Sequence, residues 1–204
     1  MKILCVARNY ALHAKEMSVD PTAEPVFFLK PDSALLQKRQ PFFYPDFSKD
    51  VQYELELVVR IDRVGKCIEE RFAPRYYSSV ALGIDFTARD LQKKFKAEGL
   101  PWALSKGFDD SAVLSPFVTL ADLNKPINDL NFWLTLNGKE VQRGNSGDMI
   151  FSVDKLISYV SNYMTLKTGD LIYTGTPVGV GPVQINDRLE GYLEGRQILT
   201  CRIK

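Results

Sequence analysis

The sequence predicts one β-rich mixed α/β domain spanning residues 1–204. Three observations lead there. Candidate strands outnumber candidate helices, they lack the regular strand-helix alternation of a doubly wound sheet, and no repeat, low-complexity tract or linker divides the chain. A chain of 204 residues buries a sizeable core, and 45% hydrophobic with 25% charged residues is ordinary globular composition.

The elements follow in order. "KILCVA" opens with a short strand, and "NYALHAKEM" is a helix of good formers that Asn9 can cap. "SVDPTAEP" breaks it and is expected to form a mobile loop. "VFFLK" is strand-like, while the segment after it, punctuated by Pro31, Pro41 and Pro45, is expected to be irregular connection or edge structure. "VQYELELVVRI", residues 51–61, alternates with the period of a strand, and "SSVALGIDF" is a second buried-strand candidate. "TARDLQKKFKAEGLPW" has helical spacing that stops at Gly99-Leu100-Pro101. "LNFWLTLNGKEVQRGNS" is a hairpin turning at Asn137-Gly138. "SVDKLISYVSNYM" is an amphipathic helix with Ser152 or Asp154 near its cap. From "GDLIYTGTP" onward, short strands and glycine turns run to the end.

Charge and cysteine usage exclude several classes of function. A net charge of +1 leaves no long-range field to attract nucleic acid or an anionic membrane, so any anion is bound locally. Cys5, Cys67 and Cys201 are odd in number and widely spaced, which argues against a disulfide framework or zinc cluster and for a reducing compartment. Arg8 interrupts the opening apolar run before it reaches signal-peptide length, and no segment approaches the ~20 apolar residues of a membrane helix. A cytoplasmic setting is expected.

Within "YELEL", Glu54 and Glu56 point the same way from a strongly apolar strand. Burying uncompensated carboxylates costs several kcal/mol each, so on an inner strand they would be protonated, paired with cations or bound to metal. Asp85, at the end of "GIDF", offers a third acid. Three hard oxygen ligands without a nearby Cys or His favour Mg²⁺ or Mn²⁺, with Ca²⁺ a further candidate, over Zn²⁺. Alternation alone also fits a strand with one solvated face.

His13 and Glu16 would share a helical face, where a carboxylate that fixes the imidazole tautomer leaves the other nitrogen to act as a base. The same spacing fits a surface histidine beside an incidental acid. Arg8, Lys30 and Lys106 each interrupt apolar surroundings and suit anionic oxygens, or else are snorkelling surface cations. "YTGTPVGVGP" places backbone amides and the hydroxyls of Thr174 and Thr176 where an oxyanion could dock; it lacks the pattern of a phosphate loop and is otherwise simply a turn.

Taken together, "ARNYALHAKEM", "EPVFFLKP", "YELELVV", "GIDFTARDLQ", "GLPWALSKGFD", "MIFSVDKLISYVS" and "GDLIYTGTPVGVGP" resemble, in order and over nearly the whole chain, the fumarylacetoacetate hydrolase family. The resemblance is greatest to its short acylpyruvate hydrolase and oxaloacetate decarboxylase members. It implies a mixed β-sandwich roll with a few short helices, a homodimer, and Mg²⁺ or Mn²⁺ held by Glu54, Glu56 and Asp85. It further implies a His13–Glu16 catalytic dyad that orders when ligand arrives. Arg8, Lys30, Gln92, Lys106 and Thr176 correspond to the family's substrate-binding groups, with Lys106 in the catalytic set. Ala7 and Ser146 stand where family members often carry Gly and Thr. The expected activity is cleavage of acylpyruvates to pyruvate and a carboxylic acid, with oxaloacetate decarboxylation through the same enolate. The alternatives are an isomerase or decarboxylase of 2-hydroxyhepta-2,4-diene-1,7-dioate type and, in a different class, a catalytically silent binding module.

Overall fold

The computed structural model describes residues 1–11, 23–37 and 40–204. The strands are β1 (Ile3–Ala7), β2 (Val26–Lys30), β3 (Val51–Tyr53), β4 (Leu55–Arg60), β5 (Ser79–Asp85), β6 (Thr87–Ala88), β7 (Ala112–Leu114), β8 (Val118–Thr119), β9 (Asn131–Leu136), β10 (Lys139–Asn145), β11 (Leu171–Tyr173), β12 (Gly181–Pro182), β13 (Arg188–Leu193) and β14 (Arg196–Arg202). Four α-helices stand among the described residues: α1 (Arg89–Glu98), α2 (Ala103–Lys106), α3 (Leu120–Leu123) and α4 (Val153–Tyr163). None is long and apolar enough to cross a membrane. The strand-rich mixed α/β reading is therefore correct, and the sheets divide it into three.

The largest sheet has the order β2-β1-β11-β4-β5-β7, with β8 also paired to β5. β1 pairs with β11 in parallel, Ile3 opposite Leu171, and the other pairs are antiparallel. A second sheet runs β10-β9-β13-β14, and a small third one β12-β3-β6. β13 and β14 lie across β5, and β9 lies against β4, which stacks the first two sheets face to face. Alternate residues of β4 and β5 (Leu57, Val59, Val80, Leu82, Ile84) meet Phe132, Leu134, Leu189 and Leu199 in one core. Close approach there requires Gly191, since a Cβ would lie 3.0 Å from Leu199 Cβ and 3.2 Å from Leu82 Cδ1. On the opposite face, Ile3, Cys5, Val58, Ala81 and Tyr173 form a second cluster. The β4–β5 strands are thus buried on both faces, which accounts for their nearly continuous apolar sequence.

Local chemistry sets several boundaries. The β9–β10 hairpin turns at Asn137 (φ 52°) and Gly138 (φ 83°), the two positive φ values that Asn-Gly favours. Helix α4 is capped by Ser152, whose hydroxyl accepts the Lys155 N–H. Helix α1 ends at Gly99, with φ 66°. Among its described residues, the segment between β2 and β3 contains one short 3₁₀ turn, Asp32–Ala34, in keeping with its prolines.

One local expectation changes. The strand read over residues 51–61 is interrupted at Glu54, where the chain passes from β3 in the small sheet to β4 in the large one. The Asn9 side-chain oxygen accepts the Phe151 N–H, and its amide donates to the Phe151 and Thr174 carbonyls. The remainder of the "NYALHAKEM" helix and residues 18–22 of the "SVDPTAEP" loop lie outside the described residues.

Candidate active site

The break at Glu54 builds the site. Glu54 sits at the joint and Glu56 two residues into β4, while Asp85 closes β5 alongside, its N–H donating to the Glu54 carbonyl. All three are buried, with exposures of 6%, 2% and 1%, and their ligand atoms all lie within 4.8 Å of one another. Gly175 donates its N–H to Glu56 Oε2 at 2.7 Å. That turn requires glycine: φ is +99° and a Cβ would lie 2.8 Å from Asn9 Cβ.

Three cations meet Glu54 and Asp85. Lys106, from the end of α2, places its ammonium 2.8 Å from Glu54 Oε2 and 2.8 Å from Asp85 Oδ2. Arg89, at the start of α1, donates to Glu54 Oε1 at 2.5 Å, to Gln92 Oε1 at 2.6 Å and to Gln52 Oε1 at 2.9 Å. Lys30 ends β2 with Nζ 2.8 Å from Asp85 Oδ1.

These charges shape the titration of the site. Burial, followed by repulsion from Asp85 and Glu54, pushes the Glu56 carboxyl well above the usual carboxylate range, and the Gly175 N–H and Lys106 offset only part of this. Burial alone would lower the Lys106 pKa, but Asp85 and Glu54 outweigh it and raise it, so the ammonium stays charged. A lysine held in this way stabilises negative charge and does not act as a base.

Glu54, Glu56, Asp85, Arg8, Gln92, Lys106 and Thr176 line one cavity, so seven of the sequence-designated residues converge. Arg8 holds a left-handed backbone, φ 61°, a strained conformation for a non-glycine residue that the adjoining Asn9 hydrogen bonds secure. Gln92 uses its oxygen on Arg89, which leaves its amide nitrogen as the group it can offer a ligand.

Lys30 departs from its expected place as a substrate contact. It is not among the cavity-lining residues: its side chain is 0% exposed, and Nζ donates to Ser111 Oγ (2.8 Å) and to the carbonyls of Ser111, Phe86 and Lys106. It stands behind Asp85 and ties α2 to β5. His13 and Glu16 lie outside the described residues.

Sequence reasoning missed Arg89, Lys96, Phe28 and Trp102, which also line the cavity. Arg89 carried a signal, a cation three positions before Gln92 on the same helix. Lys96 stands 5.5 Å from the Trp102 ring centroid, and burial, then Arg89 and Arg8, lower its pKa.

The donor set fits a hard divalent cation. All three convergent groups are carboxylates, and Asp85 Oδ1, though buried and near Lys30, makes no hydrogen bond among the described residues. The Cys5 thiol is not part of the cavity wall, and burial pushes its pKa well above the ordinary thiol value.

The model of the family "Fumarylacetoacetate (FAA) hydrolase C-terminal" matches residues 2–204. The chain belongs to the fumarylacetoacetate hydrolase family. A mitochondrial oxaloacetate tautomerase of Mus musculus is 43% identical over 202 residues, covering 99% of this chain and 91% of that protein. A mitochondrial oxaloacetate decarboxylase of Dictyostelium discoideum is 46% identical over 184 residues, 90% of this chain and 84% of the relative. The crystal structure of a fumarylpyruvate hydrolase from Pseudomonas aeruginosa in complex with Mn²⁺ and pyruvate superimposes with a TM-score of 0.93 at 36% identity, covering 100% of this chain and 89% of that one. The family fold expected from the motifs is the fold observed.

Proposed function

We propose that the protein is a divalent-cation-dependent enzyme that generates enolates from short 2-oxo acids. It would hydrolyse acylpyruvates to pyruvate and a carboxylic acid, and decarboxylate oxaloacetate through the same enolate. The observation that carries this reading is the convergence of Glu54, Glu56 and Asp85 with Lys106 in one buried cavity rimmed by Arg8 and Lys96. The names of the relatives, which act on oxaloacetate and fumarylpyruvate, support it.

Charge accounting points to the ligand class. The three carboxylates are matched in number by Lys30, Arg89 and Lys106, so a bound dication, with Arg8 and Lys96 at the rim, makes the loaded cavity strongly positive. A 2-oxo acid enolate, with one negative charge on its carboxylate and one on the C2 oxygen, is an anion suited to it. Mg²⁺ or Mn²⁺, held by Glu54, Glu56 and Asp85, would supply Lewis-acid stabilisation of that oxygen.

The chain's own residues do the rest. Lys106 holds a charged ammonium beside the reacting atoms, while Arg8, Lys96 and the Gln92 amide orient the carboxylate ends. For an acylpyruvate, His13, oriented by Glu16, takes a proton from water, and the water oxygen adds to C4. The C3–C4 bond then breaks, its electron pair passes to the enolate, and C3 is finally protonated. For oxaloacetate, C4 departs as CO₂ and leaves the same electron pair, with no water attack. Protonation of such an enolate on carbon or oxygen would also interconvert keto and enol forms, the type of reaction for which the mouse relative is named.

The test is a substrate panel of acetylpyruvate, oxaloacetate and a 2-hydroxyhepta-2,4-diene-1,7-dioate, each with Mg²⁺, Mn²⁺ or EDTA. Metal-dependent release of pyruvate from the first two is expected. Turnover indifferent to EDTA, or confined to the dienoate, would refute the reading.

A further inference from the structure

Gln142 belongs to β10 in the second sheet, at the register shift between Glu140 and Gln142, and is 2% exposed. Its carboxamide joins two segments of the cavity wall. Oε1 accepts the N–H of Leu55, the residue between Glu54 and Glu56, at 2.9 Å. Nε2 donates to Thr176 Oγ1 at 2.9 Å and to the Pro177 carbonyl at 3.0 Å.

This orientation has no alternative. The Leu55 N–H can only donate and the Pro177 carbonyl can only accept, so reversing the amide would break both bonds. Thr176 Oγ1 therefore accepts from Gln142 and must direct its own proton elsewhere. Thr176 is 4% exposed, lines the cavity beside the three acids, and donates no hydroxyl hydrogen bond among the described residues.

We propose that Gln142 is a positioning residue that makes the Thr176 hydroxyl a committed donor into the cavity, so that the site reads an oxygen able only to accept, the carboxylate or enolate oxygen of its ligand. The proposal rests on the 2-oxo acid reading above and adds the polarity of one contact to it. It also gives the second sheet a task in the site, because through Gln142 the register of β10 sets both the metal-ligand strand and the Thr176 turn.

The test is calorimetric titration of pyruvate into the Mn²⁺-saturated protein, carried out on a double-mutant cycle. Thr176→Val should weaken pyruvate binding about ten- to hundred-fold, the loss expected for a hydrogen bond to a charged acceptor, and Thr176→Ser should retain affinity. In Gln142→Glu, the new carboxylate accepts from both the Leu55 N–H and the Thr176 hydroxyl, which recaptures the proton. Adding Thr176→Val to that background should then cost nothing further. If Thr176→Val costs the same in both backgrounds, Gln142 is only a structural strut and the proposal is overturned. Should Gln142→Glu fail to fold, unchanged binding by Thr176→Val overturns it alone. Loss of affinity restored by Thr176→Ser sustains it. Absence of pyruvate binding by the unmodified protein would overturn the functional reading as well, whereas intact binding with no coupling removes only the role of Gln142.

Discussion

Lys30 Nζ lies 2.8 Å from Asp85 Oδ1, and neither side chain reaches solvent. A buried pair of this kind gives little net stability relative to an apolar replacement, but removing Lys30 leaves Asp85 with Lys106 as its remaining cation and takes the donor away from Ser111 Oγ and its neighbouring carbonyls. Lys30→Met should therefore destabilise the metal-free protein by about 1–3 kcal/mol in urea unfolding, and saturating Mn²⁺ should recover more stability in the variant than in the parent protein. Unchanged metal-free stability would show that Lys30 does not compensate Asp85.

Glu56 distinguishes metal binding from folding. Its carboxyl titrates well above the usual range, so a neutral isostere is tolerated in the metal-free protein. At a Mn²⁺ concentration one hundred times the dissociation constant, the parent protein should gain about 2.7 kcal/mol. Glu56→Gln should gain none while keeping its metal-free stability. Equal gains in calorimetry would remove Glu56 from the ligand set.

His13→Ala should separate the two reactions. Acylpyruvate hydrolysis needs a base to activate water and should fall by about 10²- to 10⁴-fold. Oxaloacetate decarboxylation needs no water attack and should persist, along with Mn²⁺ and pyruvate binding. Parallel loss of both activities in steady-state assays would contradict the division of labour.

Asp170 ties the amino terminus to β11. Its carboxylate accepts the N–H groups of Lys2 (2.8 Å) and Lys167 (2.7 Å) as well as the Lys2 ammonium. Burial alone would raise its pKa, but these hydrogen bonds outweigh burial and hold it below the ordinary carboxylate value. A depressed folded-state pKa gives stability that is present above the unfolded value, about 3.9, and is lost as pH falls through the folded one. Asp170→Asn should lower stability at neutral pH and flatten its decline below about pH 4. An unchanged acid limb in a stability-pH series would show that this contact is not pH-linked.

Much of the site was legible because its residues break local rules. Glu54 and Glu56 interrupt an apolar strand, Asp85 ends another, and Lys106 and Arg8 place charge among apolar neighbours; all five face one cavity. Lys30 broke the same rule, yet it points behind the carboxylates, because a buried cation satisfies an acid equally well from either side. Gln142 carried no signal: a glutamine in a hairpin strand looks solvent-facing until the sheet that buries it is known.

Periodicity, turn chemistry and capping act within a few residues, so the chain by itself determined the β-rich class, the Asn137-Gly138 hairpin, the α4 cap and the acidic strand. Only the tertiary structure decided that β1 runs parallel to β11, with Ile3 opposite Leu171, that the long strand divides at Glu54, and which cation meets which carboxylate. Those outcomes depend on contacts between segments far apart in sequence, whose pairing is selected by burial and charge compensation over the whole fold and not by any short window of it.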